Sequence, residues 1–365
     1  MTQNNKIGLV IDKDFAIKNV PPYPYPTFLS YETPLRIKSI LSYLEKKAIF
    51  KNEKIIEIKP IAVEEDIIHL AHTDYHINSI KTLSSRGIGL LGEEVYVTED
   101  TFELAKKALG GAITSITSVI NHEVNQSFAF IRPPGHHALR EMASGLCIFN
   151  NIANAIIYLR TILQYNKKVA IVDIDAHFGD GLVQYFYDDP SVLYFSIHEY
   201  DFVEGEIGFI DELGTGDGLG TSINFPIPLN STDNEFLESI EILEPVLKEF
   251  KPDLIIIAAG FDMYFDDPIG NCLLTTVSYY KFTELLLKIA EDICEGKLAF
   301  ILEGGYSLIG LSVCIFSVIK ALLKEDYKPP LFENLDFSNN SKKIELGKIK
   351  SSLKKLLSNY WSSIG

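Results

Sequence analysis

The sequence predicts an α/β fold built on a mostly parallel central sheet with helices on both faces. Short apolar runs alternate along most of the chain with longer segments whose apolar residues recur at helical spacing. Runs such as 168–172, 254–258 and 298–302 are apolar almost throughout instead of alternating, as strands covered on both faces must be. Polar clusters follow several of these runs directly, at the strand ends where open parallel sheets form ligand crevices.

Residues 7–11 read as the first strand. The proline-rich stretch 21–26 must be irregular, because each proline removes a donor and restricts the residue before it. Pro34 suits a helix start, and Ile37, Ile40, Leu41 and Leu44 continue at helical spacing. Arg36 lies in that first turn, a poor place for a cation in the helix dipole, which points to another use for it. His69, His72 and His76 have tempting spacings, but Thr73-Asp74 between them reads as an N-cap. They are therefore expected to be surface and capping histidines. Residues 90–97 read as a loop, followed by a helix over 98–119 that contains Gly110-Gly111. A glycine costs about 1 kcal/mol in a helix interior, so the pair implies a close approach by a neighbouring segment.

A strand over 128–131 leads into Arg132-Pro-Pro-Gly-His-His-Ala138. The alternation then becomes regular: helix 151–163, strand 168–172, short helix 182–186, strand 192–197, strand 223–226, helix 234–250, strand 254–258, helix 276–294, strand 298–302 and helix 307–323. The glycine-rich stretch 214–220 lacks the G-x-G-x-x-G order and the strand-to-helix context of a nucleotide loop, so it reads as a plain connection. Ile349, Leu353, Leu356, Leu357, Tyr360 and Trp361 predict a C-terminal helix over about 342–364 docked on the body. With no linker, repeat or low-complexity segment, residues 1–365 are expected to form one catalytic domain.

Hydrophobic residues make up 47% of the chain and charged residues 22%, which supports a large core. A net charge of -16 argues against direct nucleic-acid binding and suits a cationic substrate. The four cysteines, Cys147, Cys272, Cys294 and Cys314, are widely spaced and suggest neither a disulfide framework nor a cysteine metal site. No signal-peptide pattern and no membrane-length apolar run are found, so a cytoplasmic setting without a membrane partner is expected.

The stretch Val172 to Gly181 places Asp173, Asp175, His177 and Asp180 straight after a buried strand. Burying that much charge is costly unless a metal or a partner compensates, and a divalent cation is the simplest compensation. Four clusters end four separate strands: His136-His137, the Asp173 to Asp180 group, Asp262 with Asp266-Asp267, and Glu303-Gly-Gly-Tyr306. A catalytic zinc site needs about three protein ligands and an open position. Asp175, His177 and one of Asp262, Asp266 or Asp267 would supply them, with the histidine pair left for proton transfer.

Taken together, Pro133-Pro-Gly-His-His137, Asp173-Ile-Asp-Ala-His177, Gly260-Phe-Asp262 with Asp267-Pro268, and Gly304-Gly-Tyr306 resemble the motifs of the histone deacetylase superfamily. That superfamily includes bacterial and archaeal deacetylase-like amidohydrolases and acetylpolyamine amidohydrolases. The likeness runs from about residue 31 to 323 and implies the arginase/deacetylase-like fold and a zinc-dependent amidohydrolase. It makes Asp175, His177 and Asp267 the zinc ligands. His136 and His137 become the tandem base and acid, with Asp173 and Asp180 as their carboxylate partners, and Tyr306 the oxyanion donor. It further implies a structural potassium ion that uses Asp173 and Ser196.

The implied substrate is an acylated lysine of a protein or peptide, with an acylated polyamine as the alternative. Gly145 and Leu146 would wall the acyl-lysine channel, Leu146 standing where a phenylalanine is common. Leu274 matches a position that polyamine-selective members fill with glutamate, and Glu93 or Glu94 falls near the rim loop. Phe178 replaces a second histidine that is not a ligand, and the loop 200–216 lacks the usual aromatic-Pro-Gly pattern. An arginase-like hydrolase would need a carboxylate where Gly179 stands. A catalytically silent acyl-lysine-binding protein would not need the full set of catalytic residues found here.

Overall fold

Parallel strands form the centre of the computed structural model, which describes residues 5–24, 26–92, 94–205, 207–335, 337 and 342–364. In chain order the strands are β1 (Ile7–Val10), β2 (Ile55–Ile58), β3 (Ile88–Leu91), β4 (Val95–Thr98), β5 (Gln126–Ala129), β6 (Val169–Asp173), β7 (Val192–Tyr200), β8 (Ser222–Pro228), β9 (Leu254–Ala259) and β10 (Leu298–Leu302). Eight of them make one sheet in the order β2-β1-β5-β10-β9-β6-β7-β8, parallel throughout, and β3 with β4 makes a separate antiparallel hairpin. The first strands build one arm, β6 to β8 build the other, and the last two strands fill the middle. The β5, β6, β9 and β10 side chains are buried without alternation, as the almost wholly apolar sequences of the last three require, while β5 also buries Gln126 and Ser127.

The hairpin and the edge strand β2 are the elements that the sequence pattern did not reveal. The hairpin falls within and beside the stretch expected to be a loop, and the outward-facing positions of β3 are only partly covered. The expected helix over 234–250 is two helices, Asp233–Leu237 and Ile240–Phe250. The C-terminal helix is Lys343–Leu357, and Leu346, Ile349, Leu353 and Leu357 join the main apolar core. Trp361 beyond it donates its indole N–H to the Gly220 carbonyl at 2.9 Å.

His72 and His76 are buried, contrary to the surface placement expected of them. His72 Nδ1 donates to the Leu139 carbonyl at 3.0 Å and its Nε2 accepts the Asn150 N–H at 2.9 Å, while His76 Nε2 donates to the Ile148 carbonyl at 2.8 Å. Burial, with the neighbouring His76, lowers His72 to about 3, so it is neutral and serves as a strut under the loop 139–150. His69 is the partly exposed member of the three, 3.0 Å from Asp74.

Helix Thr101–Ile120 crosses the 60–63 segment at Gly110, where a Cβ would collide with the Ile61 carbonyl oxygen. The close approach inferred from the glycine pair is thus a backbone contact. Gly347, in the C-terminal helix, faces open space. Gly110→Ala is expected to destabilise the protein by about 1–3 kcal/mol through overpacking. Gly347→Ala should stabilise by up to about 1 kcal/mol from helix propensity alone. Paired urea titrations check both signs, and equal signs would contradict the packing account.

Candidate active site

Five adjacent strands, β5, β10, β9, β6 and β7, deliver their following residues to one edge of the sheet. His136 and His137 come after β5, Glu303 and Tyr306 after β10, and Asp262 after β9. The Asp173 to Asp180 group comes from the end of β6. Convergence follows from strand order, since the register pairs Asp173 with Ala258 and so sets Asp175 level with Gly260.

Asp175, His177 and Asp262 each place a ligand-type atom within 4.8 Å of the others. His177 Nδ1 lies 3.1 Å from Asp175 Oδ1 and 3.4 Å from Asp262 Oδ2. Asp175 Oδ2 accepts the Gly304 N–H at 2.8 Å, and Asp262 Oδ1 accepts the Ala176 N–H at 2.8 Å. Asp262 Oδ2 is buried with no hydrogen bond of good geometry. Burial and the Asp175 carboxylate push Asp262 above its usual range. Burial also opposes charge on Asp175, but His136 and His177 outweigh it and hold Asp175 well below the usual range. Two hard oxygen donors, one imidazole nitrogen and an orphaned carboxylate oxygen fit a divalent ion such as zinc.

Asp267 is not part of this group, which corrects the ligand expected there. Its Oδ2 accepts the N–H of Tyr306 at 2.6 Å and of Ser307 at 3.0 Å, and its Oδ1 accepts the N–H of Ile269 at 3.0 Å. A carboxylate with both oxygens occupied by backbone donors is a brace, and burial, then Asp262, pushes it up to about 7. Of the three aspartates that spacing left open, Asp262 takes the place beside His177. Asp266 is exposed.

The two histidines are stacked 4.0 Å apart between ring centres, but their surroundings differ. His136 Nδ1 is 3.3 Å from Asp173 Oδ2 and its Nε2 is 3.7 Å from Asp175 Oδ1. Burial works against its charge, yet Asp175 and Asp173 together raise His136 to about 10. His137 donates Nδ1–H to Asp180 Oδ1 at 2.7 Å. Burial and the adjacent His136 lower it below the ordinary 6.5. The opposite shifts separate a histidine that favours its cationic form from one that favours the neutral base.

Tyr306 is 5% exposed and lines the same cavity. Its turn is held by Arg36, which is fully buried and donates Nε–H to the Gly305 carbonyl at 2.8 Å and Nη2–H to the Glu303 carbonyl at 2.5 Å. The guanidinium also sits 4.8 Å from the Tyr306 ring centre, so this is the other use to which its unfavourable helix position points. Glu303 Oε2 accepts the N–H groups of Gly135 at 2.6 Å and His136 at 3.1 Å, tying the histidine turn to the tyrosine turn. Asp173 and Ser196, the pair expected to serve the potassium ion, are fully buried register partners on β6 and β7, with Ser196 Oγ 2.8 Å from His198 Nδ1.

A cavity of about 720 Å³ opens above these groups. Gly145, Leu146 and Phe178 line it, as does Glu94, whose Oε2 accepts the Gly145 N–H at 2.8 Å. Gly145 has φ +50° and lies so close to the His137 ring that a Cβ would overlap it. Leu274 is not in the wall, contrary to expectation. It is fully buried, its N–H donates to the Met263 carbonyl at 3.1 Å, and Ile269 takes the lining position on that loop. Phe28, Ile207 and Leu229 complete the apolar wall and carried no sequence signal. Glu93 lies outside the described residues. The signal for Asp262 was its distance from β9, because Asp267 is a further loop away.

Residues 30–322 match the family described as the histone deacetylase domain. "Probable deacetylase" of Archaeoglobus fulgidus is 34% identical over 338 residues, 89% of this chain and 92% of that protein. Histone deacetylase 10, chloroplastic, of Oryza sativa subsp. japonica is 33% identical over 311 residues, 80% of this chain and 70% of its own. Among solved structures, the HDA15 HD domain aligns with a TM-score of 0.84 and 28% identity, covering 99% of this chain and 97% of that one. These relatives bear the names of enzymes that hydrolyse amide bonds, and the shared sheet carries the site described above. On sequence and on structure alike, this chain belongs to the histone deacetylase family.

Proposed function

We propose that the protein hydrolyses the amide of an acetylated or other short-chain acylated lysine in a protein or peptide, using one zinc ion held by Asp175, His177 and Asp262. The observation that carries this is the meeting of those three residues with the histidine pair and Tyr306 around one cavity. When bound, the ion polarises the acyl carbonyl and makes the attacking water more acidic. His137, with Nδ1–H committed to Asp180, presents its other nitrogen to take the proton from that water and pass it to the leaving amine. His136, raised by Asp175 and Asp173, favours its cationic form and is disposed to stabilise the developing negative charge. The Tyr306 hydroxyl donates to the oxyanion, a contact that strengthens as charge develops. Asp173 and Ser196 would hold the potassium ion, stiffening the strand end beneath His136.

Gly145, Leu146 and Ile269 wall the channel for the lysine stem, and Glu94 at the rim is placed to meet the substrate backbone. A second reading, an acylated polyamine, is favoured by the lining. Glu94, Glu199 and Asp201 face the cavity with no lysine or arginine among the described lining residues. An arginase-like second metal is disfavoured, because a side chain at Gly179 would begin 2.5 Å from Asp173 Oδ2. A cytoplasmic location is proposed from four free, buried cysteines, and no described helix is long and apolar enough to cross a membrane.

One zinc-loaded preparation assayed on acetyl-lysine peptides, longer acyl-lysine peptides and acetylated polyamines ranks the readings. Failure to cleave any of them would sink both. Asp262→Asn should abolish stoichiometric zinc binding, whereas Asp267→Asn should keep one ion per chain by elemental analysis; the reverse result would restore Asp267 as the ligand. Tyr306→Phe should keep its zinc and lose kcat by about 10²–10³. In the pH profile of kcat/KM, the limb for loss of the base should lie below pH 6.5, because burial and His136 lower His137. Asp180 raises His137, so Asp180→Asn should move that limb lower still. A wild-type limb above pH 7 would contradict the assignment of His137.

A further inference from the structure

Asp267 is half-buried, stands outside the zinc-binding group and accepts two successive backbone N–H groups, those of Tyr306 and Ser307, at 2.6 and 3.0 Å. Its other oxygen accepts the Ile269 N–H at 3.0 Å, so one carboxylate joins the tyrosine turn to the loop that walls the cavity. The turn needs such a brace because it is built on Gly304 and Gly305, the latter at φ +107°, and glycine backbone resists reorientation weakly. Arg36 grips the carbonyl side of that turn through Gly305 and Glu303. Asp267 grips the N–H side, at the start of the helix Leu308–Leu322, where a carboxylate is also favoured by the helix dipole.

We propose that Asp267 is the positioning residue for Tyr306, fixing its hydroxyl where the oxyanion forms by holding the Tyr306 and Ser307 N–H groups. This rests on the reading of Tyr306 as the oxyanion donor. Asp267 touches no reacting atom and acts only through the tyrosine. Displacing a catalytic group by about 1 Å can cost on the order of 10²-fold in rate, so a brace at this distance from the chemistry is enough to matter.

The test is a double-mutant cycle on zinc-loaded protein with an acetyl-lysine peptide, combining Asp267→Asn with Tyr306→Phe. Asp267→Asn is close to isosteric but presents an amide N–H₂ where one acceptor stood. It is expected to lower kcat about tenfold or more with KM changed less than about twofold, the split expected when a transition-state contact is lost. Zinc stoichiometry and the zinc affinity of the metal-free protein should be unchanged. In the Tyr306→Phe background the same substitution should cost nothing further, since coupled residues are non-additive. An equal fold-loss in both backgrounds, or wild-type kcat in Asp267→Asn alone, would overturn the proposal. If Asp267→Asn does not fold, Asp267→Ser, which keeps one short acceptor, takes its place under the same criteria. Wild-type kcat in Tyr306→Phe alone would instead overturn the oxyanion reading itself.

Discussion

Two carboxylates, those of Asp175 and Asp262, are brought together at the ends of the paired strands β6 and β9, with the imidazole of His177 beside both. Their ligand-type oxygens lie within 4.8 Å of each other, and two like unit charges that close repel by at least about 3 kcal/mol at an effective dielectric of 20. That repulsion is offset in part by the imidazoles of His136 and His177 and by a backbone donor to each carboxylate, Gly304 for one and Ala176 for the other. The sheet therefore enforces a concentration of negative charge that a divalent cation relieves. The rest of the site is arranged around that deficit of positive charge.

The histidine pair shows how the same deficit sorts chemistry. His136 lies inside the field of Asp175 and Asp173, and their attraction exceeds the cost of burying an imidazolium. His137 stands one residue further out, where Asp180 alone supports it and the charged neighbour opposes a second positive charge. Two identical side chains in sequence thus become a fixed cation and a titrating base. A zinc ion engaging Asp175 would take up part of that carboxylate's pull and bring His136 down from about 10.

Much of this was legible in the sequence where the information is local or periodic. Uniformly apolar runs gave β6, β9 and β10 to within about a residue, because strands covered on both faces leave no polar alternation. The clusters after β5, β6 and β10 include His136, His137, Asp175, His177 and Tyr306, all of which line one cavity. Asp267 and Leu274 went astray for a common reason. Both sit in the loop between β9 and the helix Thr276–Cys294, where the path is set by tertiary hydrogen bonds that no periodicity encodes. His72 and His76 illustrate the converse. The Thr73-Asp74 cap between them points to a surface placement, and the packing of the loop 139–150 shows them to be buried struts.

Chemistry and selection consequently occupy different layers. The reacting groups follow the ends of neighbouring parallel strands whose register sets where each turn begins, while the channel wall comes from the connections between strands. Phe28, Leu146, Ile207, Leu229 and Ile269 belong to five separate connections, and each can change without moving a strand. The loop of Ile269 is the exception to this independence. Glu199 accepts the Asn271 N–H at 2.7 Å from one side, and Asp267 ties Ile269 to the tyrosine turn from the other. A change in that stretch alters the wall and the oxyanion donor together. Among the wall loops it is therefore the one through which altered substrate fit would reach the rate of the chemical step as well as binding.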